Sequence, residues 1–592
     1  MPERSRSPLA WLAIAVLATW CIGLFGRAYW TPDEPREADL AWRMSWQSEK
    51  AVPLLAGEAF CEKPPLLYWA AGGTMRVFGT AAWAARLPNL LYALICALAV
   101  FSLARRDAGE AAGLVAAAAI ATFLLAYQVA IWLATDAPLL AAVAVALRGL
   151  YAGFHAEDRS GRLGGYTLMH AALAAGFLAK SAAAWMVPVL ALATLIAWER
   201  RWRELLRWEL YAGLAVQALV IGSWVWFVYA GNDGPVHLKV FFWDNLVGRF
   251  TKVDAPAGLQ YTTGHRNTPG KYLIELPLYL WPWTLLAAAA VRRAWLARRA
   301  PPQTLRPLRF AVACVLPTLA LLSIAATARN VYLAPALPGA ALLIGWWAGA
   351  AAAAPDPWDL RAVRATAVLL LLACAAAGAC AALIGYDAWN ALSSHAAYVG
   401  LCALGIGAAA GLALRAWAAA SRGRLLAALG TLLGAYCALA ALPASQIYPQ
   451  VDRWHDLAAI GRALKADLHG APLVLVAPDE TTRAWVDLYT STEVARIDAP
   501  ERARGAAALR AAVVADPRRR FLAMIGGRDW SPRLRALARD LHVRLRPASG
   551  GIPAWAAPAG LAVERIYALP YGRRYALLEP APAASRRNSA SY

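Results

Sequence analysis

Apolar residues along this chain come mostly in unbroken runs rather than in alternation or at three-to-four spacing. The runs fall near residues 8–26, 83–104, 109–127, 131–150, 166–180, 184–198, 210–230, 272–291, 308–326, 331–351, 364–384, 397–415 and 425–442. A bilayer core needs roughly 20 apolar residues per helical crossing, so the pattern predicts thirteen membrane helices. The first run follows Arg4 and Arg6 as a signal peptide would, but Arg27-Ala-Tyr-Trp30 stands where a small-residue cleavage site belongs. A retained first helix is expected. Residues 166–198 fit one long helix or two short ones. Beyond Leu442 the pattern changes. Pro472–Ala477 and Phe521–Ile525 read as strands and the stretch from Thr481 as a helix, with Arg/Asp-rich segments between them. A membrane domain over 1–442 is therefore expected to carry a small soluble α/β domain over 443–592. The Ser/Arg tail from Ala583 reads as disordered.

Composition agrees with a mainly helical, polytopic membrane protein. Of 592 residues, 60% are hydrophobic and 16% charged, against roughly 45–50% and 25% in soluble domains. The net charge of +21 might suggest nucleic acid, but its distribution points elsewhere. With a cytoplasmic N-terminus, the inner loops hold Arg105/Arg106, Arg148/Arg159/Arg162, Arg200/Arg201/Arg203/Arg207, Arg292/Arg293/Arg298/Arg299, Arg361/Arg364 and Arg415/Arg422/Arg424. The short outer loops near 128–135 and 385–396 carry no Lys or Arg. This is the asymmetry that the positive-inside rule demands of a membrane protein in contact with membrane lipids, with no nucleic acid partner expected. An odd helix count puts the C-terminal domain outside. The eight cysteines form no CxxC pair and only Cys61 lies outside a span, so neither a disulfide framework nor a zinc cluster is expected. Two outer loops are long, 27–80 and 231–270, and long loops in a compact protein usually carry function.

The first of these loops opens with Trp30-Thr-Pro-Asp33-Glu34-Pro-Arg-Glu37-Ala-Asp39. Thr31-Pro32 before two acids looks like a helix start, where the dipole favours carboxylates, and Glu37 follows Asp33 by one turn. Adjacent acids at a bilayer edge are costly, which marks Asp33 and Glu34 as candidate functional groups. Trp30, Trp42 and Trp46 read more simply as an interfacial aromatic belt. Further on, Glu62-Lys63-Pro-Pro starts another helix, so Lys63 either snorkels or waits beside backbone N–H groups for an anion.

Taken together, these segments resemble a known family. Pro-Asp-Glu-x-Arg precedes Val52–Leu55, then Glu-Lys-Pro-Pro-Leu-x-Tyr-Trp, Phe78-Gly79 and Ala85-Arg-Leu-Pro88. Thr135-Asp136-Ala-Pro138, Gly176–Lys180, Phe241–Phe250 and Ser323–Pro335 continue the match, which covers roughly residues 10–350. The pattern is similar to the GT-C lipid-linked-sugar glycosyltransferases, in the bacterial aminoarabinose transferase branch related to protein O-mannosyltransferases. The resemblance implies inverting transfer of a sugar from a polyprenyl-phosphate donor, with lipid A the leading acceptor and 4-amino-4-deoxy-L-arabinose the leading sugar. It implies Asp33 as the catalytic carboxylate, with Lys63 and Arg249 on the donor phosphate and Tyr332 as a hydroxyl donor. Lys180, at the outer end of its helix, is a further cation for that phosphate. Glu62 corresponds to a metal-binding acid, but the family's second ligand, a histidine, aligns with Asp244. Two carboxylates favour Mg²⁺ or Mn²⁺ over Zn²⁺, if a divalent metal is held at all. His237 and His265 share that loop and read as surface residues. Asp136 reads as a helix N-cap.

The nearest rival is a sister enzyme that transfers a hexose to protein Ser/Thr or to a glycan. A transporter or flippase would instead place ionisable residues in mid-span and break helices in pairs. A non-catalytic scaffold would leave Asp33 and Lys63 dispensable.

Overall fold

The computed structural model describes residues 8–247, 268–325, 329–490, 494–527, 532–543, 551–569 and 571–581. All thirteen apolar runs are helical, but not as thirteen straight spans. Among the described residues, eight helices are long and apolar enough to cross a membrane, or nine if one bent pair is counted as a span. Part of the difference is length, since Pro8–Leu24 and Ala183–Glu199 have 17 residues each, and part has local causes. Runs two and three form one hydrogen-bonded stretch, Pro88–Thr122, that doubles back at Gly109, whose φ of +85° suits glycine. Gly113 then packs against the carbonyl of Phe101 and the side chain of Arg105, as a hairpin requires. The 166–198 region resolves into two helices, Arg159–Lys180 and Ala183–Glu199, separated at Ser181. The eighth run is broken into Lys271–Tyr279 and Thr284–Ala297, bent by 112° around Trp281-Pro282. Proline removes the backbone donor that would continue the helix there.

Asp136–Phe154 and Leu337–Ala353 are buried along most of their length and form the centre of the bundle. Pro357–Ala388 and His395–Ser421 expose Leu372, Leu383, Leu401 and Leu404, as lipid-facing helices do. With no hydrophobic drive between helices inside lipid, close packing must come from small residues. A Cβ on Gly149 would lie 2.5 Å from the amide nitrogen of Met169, and one on Gly165 would collide with the backbone of Gly153. The two helices therefore meet backbone to backbone.

After the first span, the chain forms an amphipathic helix, Asp33–Trp46, and a two-strand hairpin, β1 (Leu54–Leu55) and β2 (Glu58–Ala59). A second helix follows, Leu66–Phe78, started by Pro64-Pro65. Gly72 lets it approach the first so closely that a Cβ would sit 2.5 Å from the carbonyl of Ala41. The C-terminal domain holds five strands: β3 (Leu473–Val476), β4 (Val494–Ile497), β5 (Arg520–Gly527), β6 (Leu561–Ala568) and β7 (Arg573–Pro580). Their order is β4-β3-β5-β7-β6, with β3 parallel to β4 and β5, and β7 antiparallel to β5 and β6. Its helix Glu480–Thr490 lies on the Asp33–Trp46 helix through Arg36–Glu480 at 2.6 Å, a two-pronged Arg43–Asp487 pair and a bond from the Thr481 hydroxyl to the Pro32 carbonyl at 2.8 Å. The tail expected to be disordered lies outside the described residues.

Gly165→Ala is expected to lower the thermal unfolding midpoint of the detergent-solubilised protein, with an overpacking cost of about 1–3 kcal/mol. Gly164→Ala, whose Cβ would meet nothing within 4 Å, should not.

Candidate active site

The Asp33–Trp46 helix is fixed by its second residue. Glu34 is fully buried and both its oxygens are occupied. Arg86 donates to them at 2.9 and 2.8 Å, Arg27 at 2.8 and 3.3 Å, and the backbone N–H groups of Trp30 and Leu133 at 2.9 Å each. Arg86 also donates to the carbonyls of Arg27 and Ala28. Burial alone would raise the Glu34 pKa, but the Arg86 and Arg27 charges and these hydrogen bonds hold it at about 2. Glu34 thus joins the helix start to the ends of three other segments. It touches no open space, so its part is positioning rather than the direct catalytic one expected from its place beside Asp33.

Asp33, one residue earlier, points the other way and stays partly exposed. Its carboxylate accepts from Arg329 at 2.9 Å and from Arg36 at 3.3 Å. Arg36 also reaches Glu37 at 3.4 Å, and Glu37 accepts from Lys63 and, at 2.9 Å, from the Tyr68 hydroxyl. Burial raises the Glu37 carboxyl, but Lys63 and then Arg36 outweigh it and leave the pKa below the ordinary value. For Arg36, burial opposes the charge, while Glu37, Glu480 and Glu62 hold it firmly protonated. Asp33 and Lys63 are therefore three contacts apart on one continuous network.

Lys180, the last residue of its helix, donates to Asp136 at 2.6 Å, and its ammonium lies 5.5 Å from the centre of the Tyr332 ring. Tyr332 belongs to the 3₁₀ turn Asn330–Ala336, and its N–H donates to the carbonyl of Arg329 at 3.0 Å. The Tyr272 hydroxyl fixes that same carbonyl at 2.8 Å. The turn that carries Tyr332 thus begins at the residue holding Asp33. Asp136 is not the cap expected of it: it is the first helical residue, its side chain bonds Lys180, and no side-chain cap bond forms there.

Arg249 and His265 lie outside the described residues. Asp244 is buried in a helical turn, Val240–Leu246, with Lys239 at 3.8 Å, and its Oδ1 takes no hydrogen bond among the described residues. Its neighbour Asn245 donates to the carbonyl of Glu62, which ties this segment to the Lys63 region. No group of three or more His, Cys, Asp or Glu side chains able to hold an ion occurs among the described residues. Two acids, one facing a lysine, do not complete a cage for a divalent metal, and no step below is routed through one.

Sequence reading missed Arg27, Arg86 and Arg329, which act through contacts 7 to 296 residues away. It weighed Trp30 as an interfacial belt residue. Instead, the Trp30 indole donates to Asp452 at 2.8 Å and stacks on His455 at 5.1 Å, clasping the segment that leads to the C-terminal domain.

A polytopic helical bundle with an acid and several cations at its helix ends, joined to a small sheet domain, is the plan of the GT-C class of lipid-linked-sugar transferases. The dolichyl-phosphate-mannose-protein mannosyltransferase family model matches residues 62–226. Curated relatives carry the name undecaprenyl phosphate-alpha-4-amino-4-deoxy-L-arabinose arabinosyl transferase. One, from Pseudomonas paraeruginosa, is 30% identical over 447 residues, 74% of this chain and 76% of the relative. Another, from Edwardsiella ictaluri, is 30% identical over 291 residues, so that the match spans 49% of this chain and about half (51%) of that relative. The fold matches the crystal structure of ArnT from Cupriavidus metallidurans bound to undecaprenyl phosphate, with a TM-score of 0.71, 19% identity and coverage of 96% and 97% of the two chains. The chain belongs to the family of these arabinosyl transferases.

Glu34→Ala, which leaves two buried guanidinium groups without their partner, is expected to cost about 3–5 kcal/mol of stability. Because the folded-state pKa lies below the ordinary value of 4.5, the stabilisation is present above that pH and is lost as pH falls toward about 2. Acid unfolding followed by tryptophan fluorescence should be steep across this window in the wild type and shallower in Glu34→Gln.

Proposed function

We propose that this chain is an inverting glycosyltransferase of the bacterial inner membrane. It transfers 4-amino-4-deoxy-L-arabinose, or a closely similar sugar, from undecaprenyl phosphate to a phosphate of lipid A on the periplasmic face. The observation that carries this reading is the continuous network Asp33–Arg36–Glu37–Lys63, with Arg329 on Asp33 and Lys180 beside Tyr332. The names of the relatives supply the sugar and the lipid carrier. The arginines of the loops that the charge pattern assigns to the inner side support the orientation with the N-terminus in the cytoplasm.

The chemistry follows from charge. As the glycosidic bond to the lipid phosphate breaks, negative charge grows on the leaving oxygen, and fixed cations nearby stabilise it without reorganising. Lys63, Lys180 and Arg249 are assigned to the phosphate, with the Tyr332 hydroxyl as a further donor. In an inverting transfer the acceptor attacks from the side of the sugar opposite the leaving group, and Asp33 is assigned to that side. With a hydroxyl acceptor it takes the proton; with a phosphate acceptor, already an anion near neutral pH, it orients the attacking oxygen. Glu62 and Asp244 are proposed as the two acids from which an ion site could be extended, Glu37 being already engaged by Lys63. Helix ends, not helix middles, hold these groups: Asp136 begins its helix, Lys180 ends its own, and Arg329 precedes a turn. That placement favours interfacial chemistry over a transport path through the bilayer. The match to the mannosyltransferase family model favours, as a second reading, transfer of a hexose to a protein hydroxyl.

Mass spectrometry of lipid A from cells with and without the gene tests both. The expected result is one pentosamine added per modified phosphate, abolished by Lys63→Ala and reduced less by Asp33→Asn. Unmodified lipid A alongside a new hexose on envelope protein supports the second reading. Full product from both variants overturns the enzymatic assignment.

A further inference from the structure

The Asp33–Trp46 helix carries Asp33 at one end and borders a second cavity at the other. This cleft, of about 750 Å³, opens between the helix, the β1–β2 hairpin and the β3–β4 edge of the C-terminal sheet. Its size falls within the roughly 300–1,000 Å³ typical of small-ligand sites. Arg43 lies ten residues beyond Asp33, so the cleft begins about 15 Å along the helix from the reacting carboxylate. None of the proposed donor-binding residues lines it.

Its walls are built for a particular chemistry. Trp42 and Trp46, one helical turn apart, line it, and Trp46 is 58% exposed, with the Arg43 guanidinium 5.6 Å from the centre of its ring. Four guanidinium groups surround the space, those of Arg43, Arg483, Arg496 and Arg519. Two carboxylates oppose them. Asp487 is held by Arg43, and Glu58 is shared between Arg483 at 2.7 Å and Arg496 at 3.0 Å. Arg519 has one bond, to the carbonyl of Ala512 at 3.2 Å, and no carboxylate within ion-pair distance among the described residues. Arg496 is also held by Asp498 at 3.0 Å, just outside the lining, so Arg519 is the one guanidinium of the four without a carboxylate partner among the described residues, and it shares the cleft with two indoles. Indoles accept the apolar face of a sugar ring, and guanidinium forks accept phosphate oxygens in pairs.

From this arrangement we infer that the cleft is a second binding site, for a phosphorylated saccharide: the part of the acceptor headgroup distant from the reacting phosphate. This inference rests on the reading of a phosphorylated glycolipid acceptor given above, and adds where its other end is held. An acceptor bearing phosphates at both ends of its sugars would be gripped by Arg519 and its neighbours while the nearer phosphate reaches Asp33. Acceptors with a single phosphate would bind less tightly for the same chemistry at Asp33.

The test uses full-length protein in nanodiscs of neutral lipid. The probes are a deacylated bisphosphorylated glucosamine disaccharide, the same disaccharide without phosphate, and nanodiscs enriched in phosphatidylglycerol. Calorimetry should show binding of the bisphosphorylated probe, weakened about tenfold or more by Arg519→Ala and by Trp46→Ala, and little binding of the unphosphorylated one. With donor present, the same variants should raise the acceptor KM by a similar factor and leave kcat and the donor KM unchanged. Equal binding of both disaccharides, no effect of either variant on binding, or competition by phosphatidylglycerol as strong as by the probe overturns the proposal, the last by making the cleft a phospholipid site. The binding arm decides this without turnover. A wild-type protein that binds the probe but transfers nothing to lipid A would overturn the acceptor reading and leave the site standing, whereas normal transfer with unaltered variants would do the reverse.

Discussion

The molecule depends on one buried carboxylate. Glu34 collects two guanidinium groups and two backbone N–H groups from three segments of the chain, at Arg27–Trp30, Arg86 and Leu133. Desolvating an acid and two arginines is costly, and a buried ion pair of this kind is poor evidence of net stability. What it supplies is uniqueness: only one placement of the Asp33–Trp46 helix satisfies every donor. Because Asp33 is the next residue, that placement also sets where the exposed carboxylate sits relative to the helix ends carrying Lys63, Lys180 and Tyr332.

Around Asp33 the charges are nearly all paired before any ligand arrives. Arg329 and Arg36 occupy its oxygens, Glu37 occupies Lys63, and Asp136 occupies Lys180. These pairs hold the cations in place, and a phosphate bound here would exchange partners with them rather than meet bare cations. The C-terminal domain takes part in the same network: Glu480 shares Arg36 with Asp33, and Thr481 bonds the carbonyl of Pro32. The domain is thus coupled mechanically to the helix that bears the acid.

Much of this was readable from the sequence, and the failures have physical reasons. Apolar run length marked the helices of the bundle because lipid imposes that length on any span, but thirteen runs overcounted the eight or nine helices among the described residues that can cross. The same criterion could not see that Gly109 folds one stretch in two or that Trp281-Pro282 breaks another, since both breaks lie in otherwise apolar sequence. Asp33 and Lys63 stood out as charges at a bilayer edge, and the structure brings them onto one network. Glu34 stood out equally, but an adjacent residue on a helix points about 100° away, and only the fold reveals that its side is the interior. Arg86 and Arg329 carried no local signal, because their partners are 52 and 296 residues distant. Trp30 was misjudged for the related reason that an indole at a membrane boundary looks the same whether it meets lipid or, as here, an aspartate and a histidine.

The most direct measurement of the central claim, that cations held by this network grip a lipid phosphate at the membrane surface, is native mass spectrometry of the purified protein with undecaprenyl phosphate. The wild type should retain the lipid against an excess of undecaprenol, which lacks the phosphate, and Lys63→Ala combined with Lys180→Ala should lose that preference while remaining folded. Undiminished selectivity for the phosphorylated lipid in the double variant would contradict the claim.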